Sequence, residues 1–275
     1  MRIFVIHLSK QTCQECGLEE RNIAPLLRAL NNPRHPVEIF EAIYATRERE
    51  RWHPMVKDHV HPYFLHTHKT LKMLDSWSAG YYALKFLGKS MSIGELGCYA
   101  SHYALWRRCV ALQEPICVLE DDVGLQSNFF ESLDFLEKEI SNLGYARLMC
   151  LNYAQWEAVN MYPQIAEKVG LTWGEGTQGY VITPSVAHKF LSVSAGKWVM
   201  PIDWIMDNHY LHGVRNLVLN PPSIFVQNLP SYIDRSDDRQ HSLLVRCCRK
   251  INTLLVRMYS RCLRYPFFRA RWFKT

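Results

Sequence analysis

The chain has 275 residues, 48% hydrophobic and 21% charged, which is ordinary for a folded chain of one or two domains and excludes an intrinsically disordered one. Its nine cysteines follow no framework spacing and no window holds roughly eighteen consecutive apolar residues, so neither a disulfide scaffold nor a spanning helix is expected. Against a formal net charge of +6, nine Lys and Arg fall within residues 240–275 and no acidic residue follows Asp238, leaving a body of net −3 before a strongly basic tail.

The opening run Met1–Leu8 is too short for a signal peptide and has no small-residue cleavage site after it, so a reducing, cytoplasmic setting is expected. Residues 3–8 carry Ile, Phe and Val and read as a short buried strand. Leu18, Ile23, Leu26, Leu27 and Leu30 stand near helical spacing, and Asn31-Asn32-Pro33 stops that helix. Val37–Ile43 reads as a second strand, so the chain opens as a βαβ unit of an α/β fold.

Residues 46–90 read as irregular loop and short helices. Their pairs His59/His61 and His66/His68, like Cys13-x-x-Cys16, have spacings seen in zinc sites. Each lacks the further ligands such a site needs, and a histidine-rich surface loop is the reading preferred. Ser92-Ile93-Gly94-Glu95 is a capping box that opens a helix running to about Val110. Pro115–Leu119 is a continuous apolar run suited to a central parallel strand. Arg147–Leu151, Gln178–Thr183 and Leu217–Asn220 read as further strands, and Thr183-Pro184 as the cap and first turn of a helix over 184–193. Cys98, Cys109, Cys117 and Cys150 lie in apolar runs and read as small buried thiols.

Treated as a helix, residues 244–264 place Leu244, Cys248, Ile251, Leu255, Met258 and Cys262 on one stripe and Arg246, Lys250, Arg257, Arg261 and Arg264 opposite. Aromatic and basic residues then mix through Tyr265–Phe273, which suits an anionic membrane surface; a helix docked on the body is the alternative. No nucleic-acid motif accompanies the charge, so no nucleic acid is expected as a partner. The chain therefore divides into a folded domain over 1–240 and a basic amphipathic tail over 241–275.

The strand at 115–119 ends in Glu120-Asp121-Asp122. In open α/β sheets ligands gather at the carboxyl ends of strands. Three adjacent carboxylates repel one another unless a cation sits among them, and hard oxygen ligands suit Mn²⁺ or Mg²⁺. Spacing alone leaves solvated loop acids, or acids capping the helix near Phe129, as an equal reading.

The run Gly94-Glu95-Leu96-Gly97-Cys98-Tyr99-Ala100-Ser101-His102, then Trp106, then Val118-Leu119-Glu120-Asp121-Asp122 resembles glycosyltransferase family 25, a helix of the pattern G-E-x-G-C-x-x-S-H followed by a strand closing in E-D-D. Weaker matches extend the resemblance over residues 3–233. They are Phe4–Leu8 with Glu20-Arg21, Phe40–Ile43, Thr177–Thr183 with Ala187, Pro201-Ile202-Asp203, Gln227, and Ser231-Tyr232-Ile233. Two positions depart from the pattern. His7 stands where the family usually has Asn or Ser, and Tyr44-Ala45 replaces its usual Asp-Gly.

The resemblance implies a GT-A-like fold, a Rossmann-type mixed sheet flanked by helices, and an inverting transfer of galactose or glucose from UDP-galactose or UDP-glucose to a lipooligosaccharide or lipopolysaccharide core. The acceptor would be a lipid-linked oligosaccharide, placing the chain peripherally on the inner face of the cytoplasmic membrane. It also implies a divalent metal on Asp122 and Glu120. His7, Arg21, Ala42, Glu120, Asp121, Ser101 and His102 are then expected around the nucleotide-sugar. Asp203 and Asp207, four apart on one helix face, are candidates for the base that deprotonates the acceptor, with Asp203 preferred because it lies in the matched motif. An N-cap role explains Asp203 equally well. Gln178, Tyr180, Gln227 and Ser231 are expected on the acceptor side. The rival readings are another nucleotide-dependent metal enzyme, a nucleotidyltransferase or phosphohydrolase, and a non-catalytic membrane-surface scaffold.

Overall fold

The structure, a computed structural model, describes residues 1–45, 51–60, 92–151, 156–168, 174–198 and 200–233, together with Cys247, Lys250, Ile251, Leu254, Leu255 and Met258. In chain order, β1 (Arg2–His7), α1 (Lys10–Cys16), α2 (Ala24–Ala29) and β2 (Val37–Glu41) precede α3 (Pro54–His59), α4 (Ile93–Leu112), β3 (Ile116–Glu120), β4 (Val123–Leu125) and α5 (Phe129–Leu143). There follow β5 (Tyr145–Arg147), β6 (Trp156–Val159), β7 (Tyr162–Lys168), β8 (Gly179–Ile182), α6 (Pro184–Val193), α7 (Ile202–Asp207), α8 (His209–His212), β9 (Leu217–Leu219) and β10 (Ile224–Val226).

Eight strands form one mixed sheet in the order β2-β1-β3-β8-β5-β9-β7-β6. Strand β1 lies between β2 and β3 and is parallel to both, while β8 runs antiparallel to β3. Both sheet faces are covered, which explains the unbroken apolar runs of β1 and β3. On one face Phe4, Ile6, Val118, Tyr180 and Ile182 pack with residues of α4, α6 and α7. On the other, Ile3, Val5, Cys117, Leu119 and Val181 pack with α2 and α5. Each fully buried side chain of this kind stabilises the fold by roughly 1.5–3 kcal/mol. A helix-flanked mixed sheet of this form is GT-A-like, as the resemblance implied.

The capping box at Ser92 is present in full, with Glu95 N donating to Ser92 Oγ at 3.2 Å and Ser92 N donating to Glu95 Oε2 at 2.8 Å. The helix over 184–193 begins where Thr183 caps it and Pro184 fits its first turn.

Elsewhere the boundaries differ from the sequence expectation. The helix sought over 18–30 occupies only Ala24–Ala29, because Pro25 belongs to its first turn. Helix α1 was not foreseen: Ser9 caps it, but only Cys13 is buried, so it has no apolar stripe to read. Its Cys13 donates toward Leu8 O at 3.8 Å. The strand over 147–151 closes at Arg147, after starting earlier at Tyr145. The hairpin β6–β7 lies at the sheet edge with Glu157 and Ala158 exposed, a pattern too polar to stand out. The helix carrying Asp203 and Asp207 ends at Asn208, where the chain breaks into α7 and α8.

Of the histidine pairs, His59 stacks on Trp198 with ring centroids 4.9 Å apart and its Nδ1 pairs with Met55 O at 2.8 Å. His61, His66 and His68 lie outside the described residues, as do residues 61–91 generally.

Candidate active site

The carboxyl ends of β1, β2 and β3 lie side by side, so His7, Ala42 and the triplet Glu120-Asp121-Asp122 arrive at one edge of the sheet. Ala42 and the triplet border an open cleft at that edge, and His7 stands beside it through its contact with Asp121. The amino-terminal half of α4 forms the facing wall through Gly94, Cys98, Ser101 and His102, and Ser231, Tyr232 and Ile233 cross the rim.

The two glycines of the G-E-x-G pattern make this wall possible. A Cβ on Gly97 would stand 2.6 Å from Ile43 O, and one on Gly94 would stand 2.9 Å from Ile233 Cα. Helix α4 therefore meets the chain leaving β2, and the rim segment, backbone to backbone. Ser101 completes the first contact: its hydroxyl accepts from Ile43 N at 2.8 Å and donates to Gly97 O at 2.9 Å. That hydroxyl ties two elements together and has its hydrogen bonds made within the fold.

Asp121 is buried and doubly paired. His7 Nδ1 lies 2.8 Å from its Oδ2, and Arg21 forms an ion pair with its Oδ1. Arg21 also donates to Pro230 O at 2.6 Å, and its guanidinium sits 4.1 Å over the ring of Tyr232. The charge beside Asp121 is thus fixed in place by three elements, with Arg21 3.8 Å from Asp122 Oδ2. The Nε atom of Arg21 has no hydrogen-bond partner among the described residues.

Asp122 is different. Its Oδ1 is buried without a hydrogen-bond partner among the described residues, and burial together with the Glu120 charge pushes its carboxyl up to about 7. An orphaned, desolvated carboxylate oxygen next to a second carboxylate fits a hard divalent cation. Glu120 accepts the Thr177 hydroxyl on Oε1, with His102 Nε2 3.3 Å from the same oxygen. The ligand atoms of Cys98, His102 and Glu120 all lie within 4.8 Å of one another.

Asp203 and Asp207 part company. Asp207 is 2% exposed, and Arg147 at 2.7 Å and Asn216 at 3.4 Å share its Oδ1. Its Oδ2 takes the amides of Gly174 at 2.9 Å and Glu175 at 3.2 Å. With four donors on two oxygens and no path to solvent, Asp207 anchors the segment 174–177 and is not placed to take a proton from an acceptor. Asp203 is only half-buried; its Oδ1 accepts its neighbour's amide, Trp204 N, at 2.9 Å. It is not among the residues that line the cleft, and its charge only adds to burial and the Glu120 charge in raising the Cys98 thiol.

The residues expected on the acceptor side scatter. Tyr180 is fully buried and its hydroxyl meets His102 Nδ1 and Trp106 Nε1, so it does not line the cleft. Gln227 spends its side chain on Val123 O at 2.8 Å and its amide on Asp122 O at 2.7 Å, holding the turn after β3. Gln178 contributes its carbonyl to Glu120 N at 2.8 Å. Ser231 does reach the cleft rim. Thr177, Tyr232, Arg147 and Lys168 were not singled out in the sequence. Thr177 and Tyr232 sit inside matched segments, and that was their only signal. Arg147 and Lys168, at the ends of β5 and β7, pair with Asp207 of α7 and with Glu175, which no local pattern reveals.

A sequence model described as glycosyltransferase family 25 (LPS biosynthesis protein) matches residues 1–206. Among curated proteins, the chain is similar to procollagen galactosyltransferase 1 of Danio rerio, 30% identical over 141 residues, which are 48% of this chain and 22% of that protein. It is 26% identical over 132 residues to procollagen galactosyltransferase 2 of Homo sapiens, 43% of this chain and 20% of that one. A probable inactive glycosyltransferase 25 family member 3 of Bos taurus is 28% identical over 125 residues, again 43% and 20%. The match thus spans about a fifth of the length of these relatives.

Proposed function

The chain belongs to glycosyltransferase family 25, and we propose that it transfers galactose or glucose from UDP-galactose or UDP-glucose, with inversion, to a lipid-linked lipooligosaccharide or lipopolysaccharide core. The observation that carries this reading is the cleft at the ends of β1–β3, where Arg21 pairs with Asp121 and stands beside Asp122, whose Oδ1 has no hydrogen-bond partner among the described residues. Glu120 and Asp122 would hold Mn²⁺ or Mg²⁺, which supplies positive charge against a departing diphosphate.

The chain's own groups do the rest. Arg21, oriented by Asp121 and Tyr232, faces the diphosphate. His7 fixes the other oxygen of Asp121, and Ala42 leaves room at the end of β2 for the nucleoside. Asp203 accepts the proton of the acceptor hydroxyl as its oxygen bonds to the anomeric carbon. The bond from that carbon to the diphosphate breaks, and its electron pair leaves with UDP.

The tail supplies the place of work. Ile251, Leu255 and Met258, three members of the apolar stripe, are helical and 52%, 53% and 55% exposed. An apolar face left open on a basic helix favours an anionic bilayer over packing against the body, and suits work at the inner face of the cytoplasmic membrane. The rest of the stripe, Leu244, Cys248 and Cys262, and its basic face apart from Lys250 lie outside the described residues.

Titration calorimetry with UDP, UDP-galactose, UDP-glucose and ATP, each with Mn²⁺ and with excess chelator, tests the donor class. Metal-dependent binding of the UDP compounds, lost in Asp122→Ala, is expected. ATP preferred over every UDP compound would favour a nucleotidyltransferase instead. Relatives with inactive in their names make turnover a separate question: UDP-sugar binding without release of UDP would identify a non-catalytic member.

A further inference from the structure

Cys98, His102 and Trp106 recur every four residues and so lie on one face of α4, the face turned to the sheet. Beneath them β8 runs antiparallel to β3 in a register that sets Tyr180 opposite Val118, two residues before Glu120. A buried line of hydrogen bonds results. Trp106 Nε1 donates to the Tyr180 oxygen at 3.0 Å, that oxygen lies 3.0 Å from His102 Nδ1, and His102 Nε2 lies 3.3 Å from Glu120 Oε1.

The direction of this line follows from donor chemistry. An indole N–H only donates, so the Tyr180 oxygen is an acceptor toward Trp106. Among the described residues its own hydrogen then has one acceptor in reach, His102 Nδ1, and burial keeps the phenol protonated by pushing its pKa well above the usual value. Nδ1 must therefore carry the lone pair, and the neutral ring has its hydrogen on Nε2, pointed at the carboxylate. The opposite tautomer would leave the tyrosine hydrogen without an acceptor and set a nitrogen lone pair against a carboxylate oxygen, both in a buried site.

We propose that Trp106 and Tyr180 are positioning residues that lock His102 in its Nε2–H tautomer, so that His102 and Thr177 together saturate Oε1 of Glu120 and turn Oε2 toward the bound donor. Among the described residues Oε2 has no hydrogen-bond donor, whereas Oε1 has two. The role of Glu120 rests on the glycosyltransferase reading; the tautomer does not.

The test uses full-length protein labelled with ¹⁵N-histidine, read by long-range ¹H–¹⁵N correlation with the ring neutral, and His102 assigned by its absence from His102→Gln. The expected signal is an Nε2–H ring in the wild type that moves to the Nδ1–H form, or to a mixture, in Tyr180→Phe. A wild-type His102 protonated on Nδ1 overturns the proposal, as does a tautomer that Tyr180→Phe leaves unchanged. If Tyr180→Phe does not fold, the wild-type spectrum alone decides. In turnover, Tyr180→Phe is expected to lower kcat/KM about tenfold. Glutamine places an N–H where Nε2 stands and asparagine does not, so His102→Gln should keep more activity than His102→Asn, and the reverse order counts against the proposal. The predicted tautomer in a chain that binds no UDP-sugar would sink the glycosyltransferase reading and leave the hydrogen-bond line standing.

Discussion

Two aspartates four residues apart illustrate how similar side chains acquire different work. Asp207 is enclosed with Arg147 and serves the backbone of residues 174 and 175; Asp203 is only half-buried. Asp207→Asn removes the charge that offsets a buried guanidinium and should cost about 3–5 kcal/mol of stability, measured by denaturant unfolding. Asp203→Asn should leave that stability nearly intact and lower kcat by about 10²–10⁴. Equal loss of stability in both would show that Asp203 is structural as well.

His212 makes a pH prediction of its own. Its Nε2 donates to Ile205 O at 2.9 Å and its Nδ1 accepts from Val214 N at 3.1 Å, so the neutral ring satisfies both neighbours and a second proton would oppose an N–H. Burial holds the imidazole down at about 3, against an ordinary 6.5. The unfolded chain therefore binds this proton first as pH falls, and the stability gained from the neutral ring is complete above pH ~6.5 and lost as pH drops toward 3, about 2 kcal/mol of it by pH ~5. Thermal unfolding of the wild type and His212→Asn from pH ~8 to pH ~5 should show their difference shrinking. A constant difference would mean that the folded ring takes up its proton as readily as the unfolded one.

Elements with strong local chemistry were readable before the fold was known. The capping box at Ser92, the Thr183-Pro184 start and the apolar run of β3 each carry their cause within a few residues. So did the acidic triplet, because it closes a buried strand. What escaped detection depends on partners far along the chain. The edge hairpin β6–β7 is defined by its neighbour β9, and α1 by a serine cap with almost nothing to bury. Tyr180 was sought on the acceptor side because its motif is shared. Only the antiparallel pairing with β3 reveals that its side chain turns inward to His102. The tail is the element whose reading is most exposed to test. Deleting residues 241–275 should abolish sedimentation with phosphatidylglycerol vesicles and leave turnover of a soluble acceptor within about twofold. Vesicle binding that survives the deletion would move the membrane contact to the body.

Across the whole molecule, the sheet and the rim segment make one enclosure out of distant sequence. Residues from β1, β2, β3 and α4 meet Ser231–Ile233, and Tyr232 completes the contact by stacking on Arg21 and donating to Glu19 O at 2.6 Å. Ser231–Ile233 is also the last described stretch before the positions of the exposed tail. From Ile233 to Cys247 there are fourteen residue steps, a leash of at most roughly 50 Å when fully drawn out. On the function proposed above, a bilayer holding the tail would keep the mouth of the cleft within that reach, so the protein would act as a gauge of height: sugars carried close to the lipid would come within range, and the far ends of long glycans would not.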